Sequence, residues 1–154
     1  MWRQFLALAL VSLSASTVAF DDTDVGAYQA IDSEGNLTDK VFRVVHKGDD
    51  WRIEDRQNDG TWLDVTCQGG CPLEEASETQ IEYWFQAATP KNVTNHCLHN
   101  DSFAFCRIER TTPGQLEIGH ALVVIVEGEA YPIRLKPLGP GSDNPRAPAA
   151  LEEA

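Results

Sequence analysis

Short runs of alternating apolar and polar side chains, each ended by turn-forming residues, restrict this chain to a fold dominated by β-strands. In Trp51-Arg52-Ile53-Glu54-Asp55-Arg56, Trp51 and Ile53 share one face while Arg52, Glu54 and Arg56 share the other. That period of two marks a half-buried strand. A strand at 41–46 leads into it through Lys47-Gly48-Asp49-Asp50, and one at 61–67 follows through Asn58-Asp59-Gly60. Glycine in such loops supplies the positive φ of a tight reversal. A first strand is expected at 26–31, ended by the turn formers Asp32 to Asn36. Further strands are expected at 103–110, 115–126 and 130–136. Leu122-Val123-Val124-Ile125-Val126 is apolar throughout and β-branched at four of five positions, as in a strand covered on both faces.

One segment breaks this pattern. Over 77–88, Ile81, Trp84, Phe85 and Ala88 recur at spacings of three and four, Ser77 and Gln80 form a capping box, and Thr89-Pro90 ends the run. A second short helical turn is expected within 92–99. The fold class is therefore α+β, mostly β: an antiparallel sheet of about seven strands curled into a small barrel or sandwich, with one helix inserted between the fourth and fifth strands.

The first nineteen residues read as an export leader. Met1 to Arg3 forms a positive start, residues 5–13 an apolar stretch, and Thr17-Val18-Ala19 a small-residue cleavage motif, placing the cut before Phe20. The apolar stretch is shorter than the ~20 residues that span a bilayer, no cysteine sits at the cut, and the C-terminus carries no hydrophobic anchor signal. The expectation is a periplasmic or secreted protein with no membrane span or lipid anchor. Residues 1–19 are the signal peptide, 20–136 a single disulfide-stapled domain, and 137–154 a flexible tail rich in Pro, Gly and Ala.

An exported chain with four cysteines is expected to form disulfides. Cys67 and Cys71 flank the glycine-rich Gln68-Gly69-Gly70, while Cys97 and Cys106 bracket the turn formers Asn100-Asp101-Ser102. Two local bridges are favoured among the three possible pairings. The competing reading is a metal site, because His96-Cys97-Leu98-His99 crowds imidazoles around a thiol. It requires thiols kept reduced in an oxidising compartment, so neither a metal nor any other cofactor is expected. Redox catalysis is disfavoured because the Cys-x-x-Cys spacing is absent. The segment from Asp55 to Gly60 opens like a calcium loop but has Thr66 where a bidentate glutamate belongs, and a hairpin turn explains it better. Sequons begin at Asn36, Asn92 and Asn100, surface glycosylation sites in a eukaryotic host.

Charge narrows the partners. The leader holds one of the 12 Lys and Arg residues and none of the 24 Asp and Glu, leaving 11 cations against 24 carboxylates, a formal −13. That excess argues against nucleic acid, whose phosphates need a basic footprint. It favours a basic protein partner. Hydrolase motifs such as Gly-x-Ser-x-Gly and His-Glu-x-x-His are missing, so no catalytic residue is assigned. The helix offers a recognition edge instead: Glu74 and Glu75 precede it, Glu78 and Glu82 lie a turn apart beside its apolar face, and Tyr83 points away. The functional expectation is a non-enzymatic binding protein, such as an inhibitor or immunity factor against a basic cell-wall enzyme. An alternative is a carrier with an apolar cavity lined by Phe42, Val44, Trp51 and Ile53. The element pattern is similar to that of lipocalin-like barrels, although no lipocalin motif is present. A third reading is an enzyme or metal protein centred on His96 and His99.

Overall fold

Alternation sets which side chains each strand commits to which face, and the pairing of strands decides the rest. The computed structural model describes residues 20–139. Its strands are β1 (Gly26–Ile31), β2 (Leu37–Lys47), β3 (Asp50–Arg56), β4 (Trp62–Asp64), β5 (Glu74–Glu75), β6 (Val93–His99), β7 (Phe103–Thr112), β8 (Gln115–Val126) and β9 (Glu129–Pro137), with one helix, α1 (Glu78–Phe85), between β5 and β6. All nine belong to one antiparallel sheet in the order β4-β3-β2-β1-β9-β8-β7-β6-β5. The export leader at 1–19 lies outside the described residues, as does the tail from residue 140. The part of the expected tail that is described continues the sheet, since Pro137 pairs with Tyr28 and the Leu138 amide donates to the Ala27 carbonyl.

The sheet is not closed, because its edges β4 and β5 do not pair. This replaces the expected barrel or sandwich of about seven strands. It is nevertheless rolled. Residues 65–73 connect one edge to the other, and buried Thr66 ties them across the gap. Its hydroxyl accepts from the Ile53 amide of β3 at 2.8 Å, and its carbonyl accepts from Asn100 Nδ2, in the β6–β7 turn, at 2.6 Å. Asn100 Nδ2 also reaches the Gly70 carbonyl at 3.1 Å. Asn100 is therefore a buried strut and is not open to glycosylation, unlike the exposed Asn36 and Asn92.

Rolling creates an inner face filled by Phe20, Tyr28, Ala30, Val44, Ile53, Phe103, Phe105, Leu122 and Leu135. The outer face carries a second core in which Ile81 and Trp84 of α1 pack on Cys97, Ala104, Cys106, Ala121 and Val123. Small residues there let the helix approach closely. Leu122 and Val123 thus enter opposite cores, as an apolar run in a doubly covered strand requires.

Three local expectations need correction. Within 92–99, where a helical turn is expected, Val93–His99 form strand β6, because pairing with β7 places Cys97 directly opposite Cys106 and outweighs a weak helical pattern. The strand expected at 61–67 shrinks to β4, since Asp64 Oδ1 accepts the Thr66 amide and turns the chain away from the ladder. Helix α1 has the expected Ser77–Gln80 capping box but ends at Phe85, where Gln86 adopts a left-handed φ of 52°. Ala88 is consequently exposed instead of facing the core. The Asn58-Asp59-Gly60 reversal is a hairpin turn, with the Gln57 amide bonded to the Thr61 carbonyl.

Candidate functional site

Helix α1 is short, and the capping box at Ser77 and the anchors Ile81 and Trp84 fix which side faces outward. Tyr83, one position before Trp84, is 61% exposed. Its hydroxyl donates to the Gly128 carbonyl at 3.2 Å, which brings the helix against the β8–β9 turn. Val126 and Tyr131 beside that turn are 52% and 55% exposed, and Glu127 and Glu129 flank Gly128 with exposed carboxylates. Glu78 is exposed in the first turn of the helix. Glu74 and Glu75 form the exposed edge strand β5, paired with His99 and Leu98. Glu82 differs from the others, for it is half-buried and its Oε1 accepts from the Thr89 amide at 3.0 Å, closing the turn after the helix. Among the described residues, none of Glu74, Glu75, Glu78 and Glu82 forms an ion pair.

Both disulfides pair locally, Cys67 with Cys71 and Cys97 with Cys106. The second is fully buried beneath α1, whereas Cys67 and Cys71 are exposed. His96 and His99 do not converge. Their separation of three along a strand sends them to opposite faces: His96 pairs with Arg107, on the inner face, and His99 lies edge-on to Trp84, 5.3 Å away, on the outer one. The supposed cavity residues Phe42, Val44, Trp51 and Ile53 instead belong to the inner core, where Trp51 meets Phe20 at 5.9 Å. Phe42 also borders a cleft of about 450 Å³ at one end of the roll, together with Ala30, Ile133 and Arg134.

A buried polar cluster escaped the sequence reading. Asp24, 1% exposed, ends a 3-10 turn capped by Asp21. Its Oδ2 accepts from Arg107 Nη1 at 3.0 Å, and its Oδ1 lies 2.8 Å from His120 Nε2. Its carbonyl accepts from the Tyr28 hydroxyl at 2.6 Å. Burial, reinforced by the Asp24 charge, pushes the Tyr28 hydroxyl well above its ordinary range. Burial disfavours the Arg107 charge too, but Asp24, Glu109 and Asp21 more than offset that and raise its pKa. His120 is stacked on Phe105 and lies 4.9 Å from Tyr28. The cluster latches the segment before β1 to β7 and β8. It was detectable in part, because Arg107 and His120 each interrupt an otherwise apolar alternation with Phe105 and Leu122. Asp24, 83 and 96 positions from its partners, carried no local signal.

Compared with known proteins, the chain matches no family model, no curated protein and no solved structure. Among the described residues, no helix is long and apolar enough to cross a membrane.

Proposed function

We propose that this is an exported, non-enzymatic binding protein whose helix α1 and β8–β9 turn engage a basic protein, as an inhibitor or immunity factor of a cationic cell-wall enzyme would. The observation that carries the reading is the union of exposed Tyr83, Val126 and Tyr131 with the carboxylates of Glu74, Glu75 and Glu78, which form no ion pair among the described residues. Between Glu74 and Glu129, nine carboxylates accompany only Lys91, Arg107 and Arg110, and Arg107 is buried against Asp24. Exposed aromatics supply contact area at an interface while surrounding charge steers the encounter. Export and an oxidising compartment, inferred from the leader and consistent with two disulfides, bring the protein to where such enzymes act.

The test is binding of the purified protein to a panel of basic cell-wall hydrolases, lysozyme included, at two salt concentrations. Saturable binding that weakens with salt and is lost in Tyr83→Ala supports the reading; binding unaffected by Tyr83→Ala refutes the surface. A second reading, small-ligand carriage, is favoured by the cleft floored by Ala30, Phe42 and Ile133. A fluorescent apolar probe displaced by Phe42→Arg would support it, and no probe binding would dismiss it.

A further inference from the structure

The two disulfides sit in opposite environments. Cys97 and Cys106 are fully excluded from solvent under α1. Cys67 and Cys71 are exposed, and one guanidinium lies against both sulfurs: Arg52 Nη1 is 3.0 Å from Cys67 Sγ and 3.4 Å from Cys71 Sγ. Arg52 also lies 3.3 Å from Asp50 and 3.9 Å from Asp64, which hold it at the bridge while tempering its charge. A cation beside a sulfur stabilises the thiolate, and a better-stabilised thiolate leaves faster in exchange.

We infer that Cys67–Cys71 is a thiol–disulfide exchange site for dithiol reductants, with Arg52 as the residue that receives the leaving thiolate. A thiolate of the dithiol attacks Cys71 Sγ, the S–S bond breaks, and Cys67 departs as a thiolate held by Arg52. The second thiol of the reductant then attacks its own sulfur in the mixed disulfide and releases Cys71. Two electrons pass from the dithiol to the bridge, the dithiol's two protons end on the cysteines, and the reductant becomes a disulfide. The consequence is conformational, because the bridge pins residues 65–73, the segment that joins the two unpaired edges of the sheet. Reduction leaves Thr66 and Asn100 as the ties across that gap.

The experiment is timed reduction of the full protein with dithiothreitol, quenched by alkylation and read by peptide mass spectrometry, with circular dichroism to follow the fold. Cys67 and Cys71 should be labelled at least about tenfold faster than Cys97 and Cys106, with the sheet retained. Arg52→Gln should slow the first reduction roughly 3- to 10-fold, and Arg52→Lys should recover part of the rate. In Cys71→Ser, iodoacetamide labelling of Cys67 should begin at lower pH with Arg52 present than with Gln there, a readout that does not depend on the bridge. Equal reduction of both bridges, or an Arg52→Gln rate and Cys67 labelling profile equal to wild type, would overturn the assignment.

Discussion

The β2–β3 hairpin and the region from β5 to the β8–β9 turn handle charge in opposite ways. From Leu37 to Arg56 the chain carries five cations and five carboxylates. Three of the cations are held by carboxylates: buried Glu54 binds Arg43 and, at 3.0 Å, Lys47, and Arg52 reaches Asp50 and, on β4, Asp64, while Arg43 also lies 4.4 Å over the Trp62 ring. Around α1 the carboxylates of Glu74, Glu75 and Glu78 are exposed and without ion pairs among the described residues. A uniformly acidic composition thus resolves into a locally neutralised flank and an unbalanced one. Such segregation concentrates negative potential on one flank, where it would steer a cationic partner.

The largest effect should come from removing the support of the acidic flank. Trp84→Ala deletes the main anchor of α1 and should lower stability by about 3 to 5 kcal/mol through transfer and cavity terms. Urea melts measure it, and a loss near zero would mean that the helix does not depend on the outer core. On the neutralised flank, Glu54→Gln should cost roughly 1 to 3 kcal/mol by leaving Arg43 and Lys47 without their carboxylate.

The same variant tests pH dependence. Burial raises the Glu54 pKa, but hydrogen bonds from Lys47 and Arg43 and their charges outweigh it and hold the carboxyl below its ordinary value. The folded protein therefore binds fewer protons than the unfolded chain across that interval. Its contribution is full above the unfolded value of about 4.3 and disappears as pH falls through the folded one. Wild type should lose stability on acidification below about pH 5 more steeply than Glu54→Gln; parallel curves would show that the ion pair contributes nothing. The smallest effect belongs to Tyr83→Ala, near half a kcal/mol, because the ring is exposed and loses only one surface hydrogen bond. A cost equal to that of Trp84→Ala would place Tyr83 in the core.

Legibility in the sequence followed the range of the interaction. The hairpins, the capping box and both disulfides depend on neighbours within a few residues, and Ser77, Gln80, Cys67 and Cys71 announce them. Strand β6 was hidden because its identity comes from pairing with β7, and β5 because two residues are too short for a period to register. The open edge was equally invisible. Thr66 reads as an ordinary strand residue, yet its hydroxyl and carbonyl join β3 to the β6–β7 turn. In the candidate site, Tyr83 faced outward as its helical phase required, while the role of Glu82 depended on Thr89, where the chain folds back after the left-handed Gln86.

That role of Glu82 selects the variants for the decisive measurement, since reversing its charge would also break the turn. Glu74→Lys with Glu78→Lys reverses two free charges on the acidic flank. Asp39→Lys with Asp49→Lys does the same at exposed positions of the β2–β3 hairpin, so both variants change the net charge equally. Association rates with a basic lysozyme, measured in stopped flow at low and at physiological salt, separate a local field from a global one. If the acidic flank steers the encounter, the Glu74/Glu78 variant associates markedly more slowly at low salt, with a smaller deficit where screening cuts the reach of charge to about 8 Å, and the Asp39/Asp49 variant keeps a near wild-type rate. Equal slowing of the two, or no slowing in either, would contradict it.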